Sequence, residues 1–271
     1  MSYQTSRDAP KSAFVPSPVF VGIVAVTVVA GWMAWTGYGN ERVDVFLLIV
    51  AGWVLSLCLH EYAHAIVAYF AGDRGVAERG YLRLNPLKYT HPVLSIVLPL
   101  VAVVLGGIGL PGGAVWVDHA YIRSKLKESL ISVAGPATNV VFALALAVPF
   151  AFGAGQDVRL FSDGSGGFVV GGNHGAFWVA LASMAFLQVT ASLLNLLPVP
   201  GLDGGNVVRP WLSAPYQLFA PYGFILLFVL LWQSEINGWF FTLVSWLSAL
   251  IGVPEGMGEI GLVYMRFWQS L

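Results

Sequence analysis

Charge is what this sequence has least of. Of its 271 residues, 13 are Lys or Arg and 14 are Asp or Glu, 10% in all, against about 25% in an ordinary soluble domain. So few charges cannot cover the surface of a soluble protein of this size. A cytosolic globular enzyme and a disordered chain are both excluded. The net charge of −1 gives no electrostatic reason for a polyanionic partner, so a nucleic-acid binder is excluded too. A single cysteine, Cys58, excludes an internal disulfide framework and any multi-cysteine metal site. No internal repeat and no soluble domain is visible. What the chain does have is apolar residues, at 57%, with a mean hydropathy of +0.76. The implied class is a single integral membrane domain over residues 1–271, with lipid as its solvent.

Each crossing takes about 20 residues. Residues 1–18 form a polar, proline-bearing tail, and seven apolar runs follow: Val19–Thr36, Val43–Ala71, Val93–Trp116, Ser129–Phe152, Ala176–Leu197, Tyr216–Trp232 and Trp239–Val253. The first run has no small-residue cleavage site after it and reads as a retained helix. Between the runs lie a basic connection at 72–92, a glycine-rich loop at 153–175 and a Pro/Gly-rich segment at 198–215. Trp32, Trp35, Trp232 and Trp239 near run ends read as interfacial anchors.

Positive charge tests the topology. If the N-terminus is cytoplasmic and all seven runs cross, the basic residues divide seven to six, with no bias. If Val93–Trp116 enters the membrane and returns on the same side, eleven lie on the cytoplasmic side and only Arg42 and Arg159 on the other. That run is broken by Pro99, Pro111 and clustered glycines, which interrupt a helix. Irregular backbone at membrane depth survives where protein or a wet cavity satisfies it. The expected fold is therefore an all-α polytopic membrane protein. It has six transmembrane helices, a re-entrant segment of irregular or β-hairpin form after the second, and both termini in the cytoplasm.

The second run carries His60-Glu61-Tyr62-Ala63-His64, an H-E-x-x-H pattern. On a helix, positions i and i+4 share a face, so both imidazoles can reach one ion, and Zn²⁺ suits nitrogen donors. Glu61, one residue beyond the first ligand, can take a proton from a metal-bound water and pass it to a leaving amine. The pattern alone occurs by chance in soluble proteins. Three ionisable groups within an apolar span, by contrast, are expensive and functional by default.

A catalytic zinc site usually takes three protein ligands. Asp203, in Asn195-Leu196-Leu197-Pro198-Val199-Pro200-Gly201-Leu202-Asp203-Gly204-Gly205, follows a span and sits where the backbone can turn back into the bundle. Its other reading is a helix N-cap. His91, His119 and His174 lie in connecting loops and are weaker candidates.

These residues resemble the site-2 proteases, the intramembrane zinc metalloproteases, in a small form without PDZ or CBS domains. The match lies in His60, Glu61 and His64, in Asn195, Pro198, Leu202, Asp203 and Gly204, in Ala134-Gly135-Pro136-Ala137-Thr138-Asn139 and in Leu84-Asn85-Pro86-Leu87-Lys88. It covers a core of roughly residues 45–210. The chain departs from the smaller members at His91-Pro92 and at Leu110–Val115, away from the metal residues. The resemblance implies Asp203 as third ligand of one catalytic Zn²⁺, with Glu61 as general base. It also implies a membrane-embedded hairpin or loop after the first core helix. The partners it implies are a transmembrane protein substrate and the lipid bilayer, in a multi-pass protein of the cell membrane. Asn139 and Asn195 are amides in apolar helices. They could donate to the oxyanion or to substrate backbone, or bond helix to helix. Two other functions compete: a membrane metal carrier using the same side chains, and a protein that binds membrane segments without cutting them. A carrier has no need of Glu61, and transporters commonly show repeats. The oligomeric state is left open.

Overall fold

The structure is a computed structural model, and it describes residues 9–89, 100–101, 115–162, 168–212, 222–223, 227, 229–231 and 233–269. Among these, four helices are long and apolar enough to cross a membrane, within Lys11–Thr36, Glu41–Ala71, Lys125–Ala151 and Gly175–Leu196. They match four of the six expected crossings. The expected re-entrant run falls, but for residues 100–101 and 115–116, outside the described residues, as does most of Tyr216–Trp232. The run expected to cross at Trp239–Val253 falls largely on a helix of 17 residues, Ser234–Leu250, at the lower end of the roughly 17–25 residues that a crossing takes.

Local chemistry sets the helix ends. Ser17 caps helix α1 (Pro18–Thr36) by accepting from Phe20 N, and Gly37 ends it in the left-handed region. Asn40 caps the 31-residue α2 (Glu41–Ala71) by accepting from the N–H groups of Arg42 and Val43. A one-turn helix, α3 (Gly75–Glu78), opens the basic connection. Ser124 then caps α4 (Lys125–Ala151), which carries Pro136 and Pro149 inside. Helix α5 (Gly175–Leu196) stops before Pro198, and the short α6 (Asp203–Val208) follows its turn. Helices α7 (Ser234–Leu250) and α8 (Met257–Tyr264) close the chain.

Helix α5 is the centre of the bundle. Its side chains join those of α2, α4 and α8 in one core that includes Trp53, Ala143, Val179, Phe186 and Leu187. Polar contacts add register: Ser56 Oγ of α2 donates to Gln188 Oε1 of α5 at 2.5 Å, both buried. The C-terminal helix α8 docks here. Ser183 Oγ donates to the Gly258 carbonyl at 2.7 Å, and Gly261 lets α8 approach the Val179 carbonyl closely. Helix α1 lies at the edge, with Val21, Val28 and Trp32 exposed, as befits a lipid-facing helix.

The loop at 153–175, expected to be irregular, contains a two-stranded antiparallel hairpin, β1 (Arg159–Ser162) and β2 (Phe168–Gly171), pairing Arg159 with Gly171 and Ser162 with Phe168. Val170 is buried while Val169 is exposed, the two-residue alternation that a half-buried strand needs. Phe168 stacks on Tyr264, ring centroids 5.7 Å apart, so the hairpin closes over one end of the bundle.

Candidate metal centre

Helix α2 presents His60, Glu61 and His64 to the interior, all buried. Asp203, at the start of α6, reaches the same point from the opposite side. Its Oδ2 lies 3.1 Å from His60 Nε2 and its Oδ1 3.3 Å from His64 Nε2. The two Nε2 atoms are themselves 3.1 Å apart. Ligand atoms held about 2.0–2.1 Å from a tetrahedral ion lie about 3.3 Å from one another, so the three separations fit one Zn²⁺ ion. Among the described residues this is the one group of three metal-ligating side chains that converges, with every ligand atom within 4.8 Å of the others.

The far side of each imidazole is tied down. His60 Nδ1 donates to Asn139 Oδ1 at 3.2 Å, and His64 Nδ1 donates to the Ile131 carbonyl at 2.6 Å. Both bonds put the proton on Nδ1 and leave the Nε2 lone pair facing the ion, the usual support of a metal-bound histidine. Asn139 is thus turned toward a ligand. That contact is the helix-to-helix bond that was one of the two readings of Asn139. Asn195 is buried near the end of α5, and among the described residues its carboxamide has no side-chain hydrogen bond.

Glycine leaves room for an ion at this point. A Cβ on Gly135 would fall against the Nε2 atoms of both His60 and His64. The missing side chain is therefore a cradle the size of the space between the imidazoles. Gly204 and Gly205 act similarly behind Asp203, where a Cβ would strike the carbonyls of Leu196 and Leu197 or that of Val199. Only this close approach lets the turn after α5 bring Asp203 back to α2. Neither the cradle nor the Ile131 acceptor was picked out from sequence, although Gly135 lies in a matched segment.

A cavity of about 420 Å³ opens beside Glu61, His64 and Asp203, with Trp116, His119 and Arg209 toward its other walls. Glu61 Oε2 accepts from Val115 N at 3.0 Å, so the chain leaving the expected re-entrant run touches the glutamate. Arg209 Nη2 donates to His119 Nε2 at 2.9 Å. Burial, and then the Arg209 guanidinium, push the His119 imidazole below its ordinary pKa, consistent with a neutral ring that accepts. His119 lines the cavity but is not among the converging ligands. His174 lies elsewhere, stacked on Trp35 with Nδ1 donating to the Trp35 carbonyl at 2.6 Å. His91 is outside the described residues.

A histidine pair and a carboxylate around a glycine cradle, on helices that can cross a membrane, define a membrane metallopeptidase centre. Known proteins narrow the class. The family described as Peptidase family M50 matches residues 47–230, and the chain belongs to that family, the site-2 proteases. It is an intramembrane zinc metalloprotease of site-2 type, in a family whose role is regulated intramembrane proteolysis. It is 44% identical over 263 residues to "Putative zinc metalloprotease Rip2" of Mycolicibacterium smegmatis, covering 94% of this chain and 95% of that protein. The Mycobacterium tuberculosis protein of the same name is 40% identical over 273 residues, 97% and 98% of the two chains. "Putative zinc metalloprotease YwhC" of Bacillus subtilis is 30% identical over 190 residues, 67% of this chain and 78% of that one. No solved structure matches.

Proposed function

We propose that His60, His64 and Asp203 hold one catalytic Zn²⁺ and that Glu61 is the general base that cuts a peptide bond in a transmembrane segment of a membrane-protein substrate. The observation that carries this reading is the convergence of the three donors on one point, beside the cavity that Glu61 also lines. Bound zinc would supply Lewis acidity, bringing the pKa of a water in the site toward about 7 and stabilising charge that develops on the substrate carbonyl oxygen. Glu61, steadied by Val115 N at 3.0 Å, takes the proton of the attacking water with its second oxygen and hands it to the leaving amine. Asn195 is the amide left to meet substrate backbone.

Val115–Asp118 has no helical structure and lines the cavity with Val115, Trp116 and Val117. This supports a substrate that unwinds and lies beside it as an added strand. The proposed setting is a multi-pass protein of the cell membrane with six crossings, one re-entrant segment and both termini in the cytoplasm. His119 and Arg209 at the cavity sit on the side that charge counting assigns to the cytoplasm, from which water would enter.

The test is Glu61→Gln, with bound zinc and cleavage of a single-span substrate both measured. The variant should keep its zinc and lose about 10²–10⁴-fold in rate, the size of a general acid–base contribution. Cleavage at the wild-type rate would remove Glu61 from the chemistry.

A further inference from the structure

A second cavity, of about 480 Å³, lies between the segment that leads into α1 and the loop after α3, apart from the metal centre. Among the described residues three cations line it, Arg79, Arg83 and Lys88, with Glu78 as the one acid. Arg79 is shared with Asp73, Nη2 to Oδ2 at 2.7 Å. The other two keep donors to spare. Arg83 spends Nε on the Val15 carbonyl at 3.3 Å, and among the described residues neither its terminal nitrogens nor Lys88 Nζ has a protein partner. Such a pocket sets three cations against the one carboxylate of Glu78 among the described residues, so its complement is a phosphate-bearing anion.

Its position narrows the source. Ser17 N, at the cap of the first candidate span, donates to the Arg83 carbonyl at 2.8 Å, which places Arg83 at the rim of that span. Asn85 Oδ1 accepts from Leu87 N at 3.1 Å and sets a turn that leaves Leu87 61% exposed beside Lys88, while Val15 across the cavity is 54% exposed. Cations with exposed aliphatic side chains at the end of a crossing are the surroundings of a lipid headgroup and the first carbons of its chains. We propose that Arg83 and Lys88, with Arg79, bind the phosphate of an anionic phospholipid in this cavity.

The full-length protein in a neutral maltoside micelle is given short-chain phosphatidylglycerol, phosphatidylcholine or inorganic phosphate in turn. Lipid retained in native mass spectra and thermal stability are read together. Phosphatidylglycerol should be retained over phosphatidylcholine, and Arg83→Gln with Lys88→Gln should cut that preference by about five-fold per cation. Arg83→Lys with Lys88→Arg should keep it. Unchanged zinc content in both variants establishes that they are folded. Equal retention of the two lipids, or an undiminished preference in the Gln pair, would overturn the site. Equal stabilisation by inorganic phosphate, lost in the Gln pair, would overturn the lipid as its source.

Discussion

Helix α2 carries polar groups at both ends and uses them in opposite ways. Near its start they diverge. Glu41 Oε2 accepts from the Tyr264 hydroxyl of α8 at 3.0 Å. Arg42 donates to the Phe168 carbonyl of the hairpin at 2.8 Å and stacks over Tyr264. Asp44 is fully buried, and among the described residues neither carboxylate oxygen has a hydrogen-bond partner. In the second half they converge, since His60 and His64 face one point with Asp203 and Glu61 lies beside them. Glu41 and Arg42 join the helix to α8 and to the hairpin, so their worth is stability. The converging set crowds three groups of metal-ligand type at one point, so the worth proposed for it is chemistry. Substitutions should separate the two: at the second half, metal lost and fold kept; near the start, fold loosened and metal kept.

Gly135→Ala should break the comparison most sharply at the metal end. The added methyl occupies the space between the imidazoles, and zinc affinity should fall by more than the 10–100-fold typical of lost supporting contacts. The same methyl presses on both imidazoles in the metal-free protein, which offsets the gain of about 1 kcal/mol from alanine as the better helix former. Zinc content should therefore fall far more steeply than the thermal stability of the apo protein. Full zinc occupancy would mean that the cradle does not bound the ion. Asn139→Leu is the milder cut. It removes the acceptor behind His60 and leaves the imidazole free to choose its tautomer, so zinc affinity should drop about 10–100-fold, while Asn139→Asp should retain it. Equal affinity in the leucine variant would make Asn139 a packing residue.

The contrast also explains what could be read in advance. His60, Glu61 and His64 were legible because chemistry needs particular side chains and the i, i+4 spacing states their geometry, whereas Asp203 stood open between ligand and N-cap until the family resemblance pointed to it. Four spans were legible because twenty apolar residues have few other fates. The Ile131 carbonyl was not, since every residue has one and only the fold aims it. Gly135 could be seen as a helix interruption, but its cradle exists only when α2 packs on α4. For Asn139 two roles stood open, substrate donor and helix-to-helix bond, because sequence does not tell which way an amide turns. The hairpin at 159–171 was missed because each strand is four residues, too few for alternation to stand out among glycines. The docking of α8 rests on small residues, Gly258 and Gly261 against Phe186 and Ser183, a fit between surfaces that composition does not encode.

The smallest expected effect lies near the start of α2, and it is the one that tests whether the halves are independent. Tyr264→Phe deletes one hydroxyl, the donor to Glu41, and leaves the ring on which Phe168 and Arg42 stack. A single hydrogen bond to a charged acceptor is worth about 1.5–3 kcal/mol when buried and less when partly wet, so a loss of about 1 kcal/mol is expected in thermal or denaturant unfolding. Burial, and then the charge of Glu41, push the Tyr264 phenol up to about 12. A raised value means that the folded state holds the proton more tightly. The bond's contribution is therefore complete below the ordinary tyrosine pKa of about 10 and is lost only as pH rises through about 12. The stability gap between wild type and Tyr264→Phe should then be constant from neutral to mildly alkaline pH, with zinc content and cleavage rate unchanged throughout. A fall in zinc content would show instead that the two halves of α2 are mechanically coupled, with the docking of α8 reaching the metal through the helix.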